Sequence, residues 1–173
     1  MDSIQPIWTQ LYTDEAAPPF LLLDAAGFER GHAQLPQSIF ATLECMFTGD
    51  LADELVDVAP YLGQLASLSA DVKDEVDDLL QRQLAILVLP SNAGVEFASL
   101  HRHLRKFNVV YGPGGNPLFF RYYDARVLID VLNVLEPHQR DAFFGPIGSL
   151  VMAPQPDALV RCFRRGSELA VVA

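Results

Sequence analysis

Thiols, tryptophan and basic side chains are all scarce in this chain. Its 173 residues hold 2 cysteines, 1 tryptophan, and 12 Lys+Arg against 22 Asp+Glu. Cys45 and Cys162 are far apart and have no second thiol at metal-type spacing. That excludes a disulfide-built scaffold and a Cys/His zinc motif, and each is expected to act as a small buried hydrophobe in a reducing compartment. A formal net charge of -10 argues against nucleic acid or an anionic membrane as a partner. The longest apolar run, Leu84 to Pro90, is too short to cross a bilayer. No basic segment followed by an apolar run marks the N-terminus as a secretory signal, so a cytoplasmic location is expected. Catalytic signatures are lacking too: no nucleophile elbow, no dinucleotide glycine fingerprint and no Cys/His cluster. Gly112 to Pro117 is glycine-rich, but no lysine and Ser/Thr follow it as a phosphate loop requires. The expectation is a protein that is not an enzyme and takes no cofactor and no metal.

What is present is apolar patterning. Ile4 to Tyr12 predicts a short helix, stopped by Ala16-Ala-Pro-Pro19. Phe20 to Asp24, Leu43 to Phe47, Tyr61 to Leu65 and Leu84 to Leu89 predict strands. Between them, Leu51, Leu55, Val58 and Ala59 predict an acidic helix ended by Pro60. A second helix, capped by Ser69 or Asp71, turns Val72, Val76, Leu79 and Leu80 inward and its carboxylates outward. Gly94 to Phe107 predicts a third, with Arg102, Arg105 and Lys106 on a basic edge. His101 and His103 within it point apart and cannot pair as zinc ligands. His32 has no evident partner in the sequence.

The densest stretch runs from Leu118 to Leu132. Leu118 to Tyr123 predicts a strand covered on both faces, running without a loop into a helix capped by Asp124. Arg121 and Arg126 flank Asp124, so a structural ion-pair corner at a buried junction is expected, with an anion clamp as the alternative. Asp24, at the end of the first strand, is expected to cap or hold a loop, since Ala26 stands where a phosphatase-type site needs a second aspartate. A brief helix from His138 to Phe144, with Pro137 at its first position, should stop at Gly145-Pro146. Leu150 to Met152, Leu159 to Phe163 and Leu169 to Val172 predict short strands. The whole predicts a single α/β (mixed α+β) domain over 20–173, behind an N-terminal helix and Pro-rich linker over 1–19. Its sheet should be mixed, with crossover connections, flanking helices and at least one antiparallel hairpin around Gly112 to Pro117.

Charge is uneven along the chain. Met1 to Asp78 holds 15 acids and 2 bases, and the remainder 7 acids and 10 bases. Folding either keeps an acidic and a mildly basic side or mixes the two halves.

Phe120-Arg-Tyr-Tyr-Asp-Ala-Arg-Val-Leu128 resembles the signature of the type VI secretion effector adaptor (chaperone) domain. Leu22-Leu-Asp-Ala-Ala26, Val58-Ala-Pro-Tyr-Leu62, Leu100-His-Arg-His-Leu-Arg-Lys-Phe107 and Phe143-Phe-Gly-Pro146 are similar to further family stretches, in the same order. Ala125 stands where the family commonly has proline. The chain is similar to a short form, without the C-terminal helical lobe of longer members. The resemblance implies a cytoplasmic adaptor that holds an effector, through its N-terminal region, and helps load it onto the VgrG spike. It makes Asp24, Pro60, Tyr61, Phe120, Arg121, Tyr123, Asp124, Arg126, Phe144, Gly145 and Pro146 the family-motif residues, in structural roles. Two other functions stay open on the residues: a small hydrolase using Asp24 and the Asp124/Arg126 region, and an immunity-type toxin-binding protein. For cargo, the C-terminal strand is the expected edge, with Arg161, Arg164, Arg165, Leu169 and Val171 as candidates. The alternative is that Leu169, Val171 and Val172 only complete the core sheet.

Overall fold

The computed structural model describes Trp8 and residues 19–156, 158, 161–164 and 167–171. Apart from Trp8, the expected N-terminal helix lies outside the described residues, as do Arg165 and Val172 of the C-terminal expectation. The fold is α+β: a seven-stranded sheet with helices on both faces, and a separate two-stranded hairpin. The strands are β1 (Phe20–Asp24), β2 (Phe40–Cys45), β3 (Pro60–Leu65), β4 (Ala85–Pro90), β7 (Ile147–Met152), β8 (Arg161–Arg164) and β9 (Ser167–Val171). The hairpin is β5 (Val109–Tyr111) with β6 (Pro117–Phe119). The helices are α1 (Asp50–Glu54), α2 (Ala70–Gln81), α3 (Phe97–Arg105), α4 (Ala125–Val134) and α5 (Pro137–Phe144). Among the described residues no helix is long and apolar enough to cross a membrane.

The strand order is β2-β3-β1-β4-β7-β8-β9, and every ladder is antiparallel. Strand–helix alternation suggests crossover connections and a mixed sheet. The β3–α2–β4 crossover does exist and its two strands run the same way, but β1 lies between them and pairs antiparallel with both. Sequence alternation reports the crossover; it does not report a third strand inserted into the gap.

β1 and β4 are apolar along most of their length because both faces are covered. Leu21, Leu23, Leu87, Leu89 and Val151 face one core, closed by Val76, Leu79 and Leu80 of α2 and by Trp8. Trp8 also donates through Nε1 to Asp77 at 3.1 Å. Phe20, Leu22, Ile86, Val88, Leu150 and Met152 face the other core. There Leu100 and Leu104 of α3, Leu128, Ile129 and Leu132 of α4, and Phe143 and Phe144 of α5 pack over them. Along the sheet the two halves of the chain stay apart, with β1 to β3 toward one end and β7 to β9 at the other, although side chains of the second half reach the first across the α3 and α4 face. Exposed Asp71, Asp74 and Asp78 of α2 lie on one face, and Arg102 and Lys106, in and after α3, belong to the opposite side.

Several boundaries differ from expectation. α1 stops at Glu54, so Val58 is exposed and Ala59 buried, because the chain must straighten to enter β3. α3 begins at Phe97, not Gly94. Ser69 holds the N-cap position of α2 without a side-chain bond. Cys45 is half-buried and accepts from Phe47 N–H at 3.4 Å, so it is not the inert core thiol expected; the side chain of Cys162 lies outside the described residues.

Candidate functional site

The largest correction concerns the densest stretch. Strand β6 ends at Phe119, and Leu118 and Phe119 are exposed instead of covered on both faces. Arg121 to Asp124 then forms a turn, closed by Asp124 N–H donating to Arg121 C=O at 3.1 Å, before α4 begins. An aromatic run looks the same whether its rings enter a sheet or pack around a turn. Here Tyr122 and Tyr123 turn inward, while Arg121 stays at the surface.

That turn meets the end of β1. Arg121 Nη2 lies 2.8 Å from Asp24 Oδ2 and 3.7 Å from Asp124 Oδ2. Asp24 also caps the 3-10 turn Ala25–Gly27 by accepting from Ala26 N–H at 3.2 Å. Asp124 caps α4 by accepting from Arg126 N–H at 3.1 Å, and it takes a two-pronged bond from the Arg126 guanidinium, 2.9 Å to Nε and 2.7 Å to Nη2. The charges are therefore split by depth. Asp24 and Asp124 are buried, whereas the side chains of Arg121 and Arg126 are 47% and 66% exposed. Neither guanidinium is buried at this junction, because each reaches a buried carboxylate from outside while its head stays in water.

The carboxylates respond oppositely. Burial pushes Asp24 above the usual carboxylate range, against the pull of Arg121 and the Ala26 N–H, and the nearby Asp124 adds to the rise. Burial also acts to raise Asp124, but the Arg126 bonds and charge, joined by Arg121, outweigh it and hold the group below that range. Arg121 is held more firmly charged: its own desolvation is outweighed by Asp24 and Asp124.

The other motif stretches converge on this corner. Asp24 is directly opposite Pro60, Leu23 opposite Tyr61 and Leu22 opposite Leu62. Ala25 N–H donates to Ala59 C=O at 3.2 Å, and Tyr61 OH to Val56 C=O at 2.9 Å. Tyr61 is pushed up to about 12, by burial first and by Cys45 next. On the helical face, Phe143 packs against Phe107, Phe120 and Tyr122, with ring centroids 5.1, 6.3 and 6.0 Å away. His103 Nε2–H donates to Phe143 C=O at 2.7 Å, and burial lowers its pKa. Gly145 ends α5 at φ 44, and a Cβ there would collide with the His103 ring, so a side chain at this position strains the backbone and forces the imidazole to shift. His101 points elsewhere and donates to Cys45 C=O at 3.0 Å, as its spacing from His103 required.

Four further pairings have no counterpart in the sequence reading. His32 Nδ1 lies 2.9 Å from Asp57 Oδ1, and its ring stacks on Tyr61. Buried Tyr122 OH donates to Asn108 Oδ1 at 2.9 Å, and Asn108 Nδ2 donates to Met46 C=O at 2.8 Å. Arg105 reaches Thr48 Oγ1 at 2.9 Å. None has a local signal, since partners 14 to 62 residues apart share no spacing rule. Among the described residues no three His, Cys, Asp or Glu side chains come together as a metal site. Of the expected cargo residues, Arg161 is half-buried on β8, and β9 pairs with β8 while forming the end of the sheet.

Residues 19–142 match the family model described as a domain of unknown function, DUF4123. The chain belongs to that family. Neither the curated proteins nor the solved structures searched gave a match. The DUF4123 match takes in the Asp24 corner, Pro60 and Tyr61, and the turn from Phe120 to Arg126; Phe144 to Pro146 follow just beyond it.

Proposed function

We propose that this DUF4123 chain is a cytoplasmic adaptor that holds a type VI secretion effector and helps load it onto the VgrG spike. The observation that carries the reading is the resemblance of Phe120 to Leu128, with its four collinear companion stretches, to the effector adaptor domain. The geometry is compatible with it. Asp24 and Asp124, the carboxylates a hydrolase would need, are taken up by caps and ion pairs. An adaptor needs a firm frame and an outer surface that binds and releases, with no reacting centre.

The raised carboxyl of Asp24 beside Arg121 favours one other reading, a small hydrolase, since shifted acids in such corners also serve in catalysis. Capture of the tagged chain from its native cell separates the readings. Recovery of an effector together with a spike component supports the adaptor. A bare toxin domain whose activity is lost points to an immunity protein. Hydrolytic turnover abolished by Asp24→Asn, without loss of folding, points to the enzyme.

A further inference from the structure

The β5–β6 hairpin presents apolar side chains to water from both of its faces. Tyr111 is 74% exposed, Phe119 67%, Leu118 53% and Val109 38%. The pairing puts Val109 opposite Phe119 and Tyr111 opposite Pro117 on one face, and Val110 opposite Leu118 on the other. Two strands alone are marginal in water; a third strand or a covering element is what stabilises such a ribbon. Among the described residues β5 and β6 pair only with each other. Patches of clustered exposed apolar groups mark interaction surfaces.

The two edges are not equivalent. Pro117 removes a donor from β6, which blunts that edge. β5 holds no proline and no lysine. Phe120 N–H donates to Asn108 C=O and Gly112 N–H to Asn116 C=O, so by antiparallel alternation Val109 and Tyr111 turn their backbone groups away from β6. Charge gives the sign of the occupant. From Phe97 to Tyr123 the chain carries four Lys+Arg and no acid, within a chain of net charge -10. Arg121, after the hairpin, is taken up by Asp24, which leaves Arg102, Arg105 and Lys106 just before β5.

We propose that the hairpin docks an extended, acidic segment of a partner protein, with apolar residues alternating along it, as a third strand on the free edge of β5. The inference rests on the adaptor reading only for which protein supplies the segment. Backbone pairing would provide the affinity, the rings of Tyr111 and Phe119 the apolar contact, and the cations just before β5 the preference for carboxylates.

The probe is a fluorescent peptide of about ten residues alternating Val/Leu with Glu, beside a twin carrying Lys for Glu, titrated by anisotropy. The expected result is saturable binding of the acidic peptide alone, weakened by salt. Leu118→Ser/Phe119→Ser should weaken it about tenfold, with melting unchanged because both side chains are already in water. Tyr111→Pro, which removes an outward N–H, should weaken it more than Tyr111→Ala, which keeps it. Equal binding of both peptides, no saturable binding, or binding indifferent to these variants overturns the proposal. A dimer in sedimentation that the same variants dissolve overturns it in favour of a second copy of this chain. Effector capture that survives the variants, with peptide binding lost, overturns the hairpin as the cargo site and leaves the adaptor reading standing. Peptide binding without any effector captured does the reverse.

Discussion

Arg121 reaches across 97 residues of chain to bond Asp24 at 2.8 Å. The contact ties the turn before α4 to the end of the central strand. It also sets an asymmetry, since the carboxylate is buried and the guanidinium is not. Losing Arg121 therefore strands a buried acid, whereas losing Asp24 leaves an arginine that water can solvate. Arg121→Met should cost up to about 3 kcal/mol near neutral pH, and Asp24→Asn less. Without its partner the Asp24 carboxyl rises further. A raised acid binds its proton more readily folded than unfolded, so stability falls as pH climbs through the window above the unfolded value. Urea titrations at pH 5 and pH 7 should thus show the Arg121→Met cost shrinking at the lower pH.

Asp124 carries the opposite sign. Its folded pKa lies below the unfolded one, so its contribution is complete above about pH 4 and is lost as pH falls through the folded value. Asp124→Ala should cost about 1–2 kcal/mol at pH 7, chiefly the α4 cap, because Arg126 is exposed and needs no buried partner. The difference from wild type should narrow in acid, and a constant difference down to about pH 2 would contradict the assignment.

Gly145 and His103 should behave as a coupled pair. Gly145→Ala meets both a positive φ and the His103 ring, and is expected to cost about 2–3 kcal/mol. In a His103→Ala background the steric part disappears, and a double-mutant cycle in urea should return an interaction of about 1 kcal/mol. Additive costs would mean that the backbone angle alone decides.

Tyr122→Phe removes one hydroxyl from a fully buried site and leaves Asn108 Oδ1 without its donor. A loss of about 1–2 kcal/mol is expected, visible as a lower urea midpoint with an unchanged slope. Asn108 also holds Met46 C=O, so Asn108→Ala should cost more than Tyr122→Phe.

The sequence by itself determined the parts governed by short-range rules. Continuous apolar runs marked β1 and β4, because strands covered on both faces need no alternation. Proline and aspartate at fixed offsets marked the starts of α4 and α5. Even the structural role of Asp24 was visible, since an aspartate at a strand end meets the free N–H groups of the next turn. Only the tertiary structure decided which strands became neighbours, because β1 enters between β3 and β4 through contacts that no local period encodes. It alone decided that the aromatic run from Leu118 to Tyr123 divides, with Leu118 and Phe119 in water and Tyr122 in the core. Burial is a property of what packs on top of a segment, and the covering residues come from elsewhere in the chain. For the same reason Arg121 met Asp24, His103 met Gly145 and Tyr122 met Asn108 only once the fold had closed.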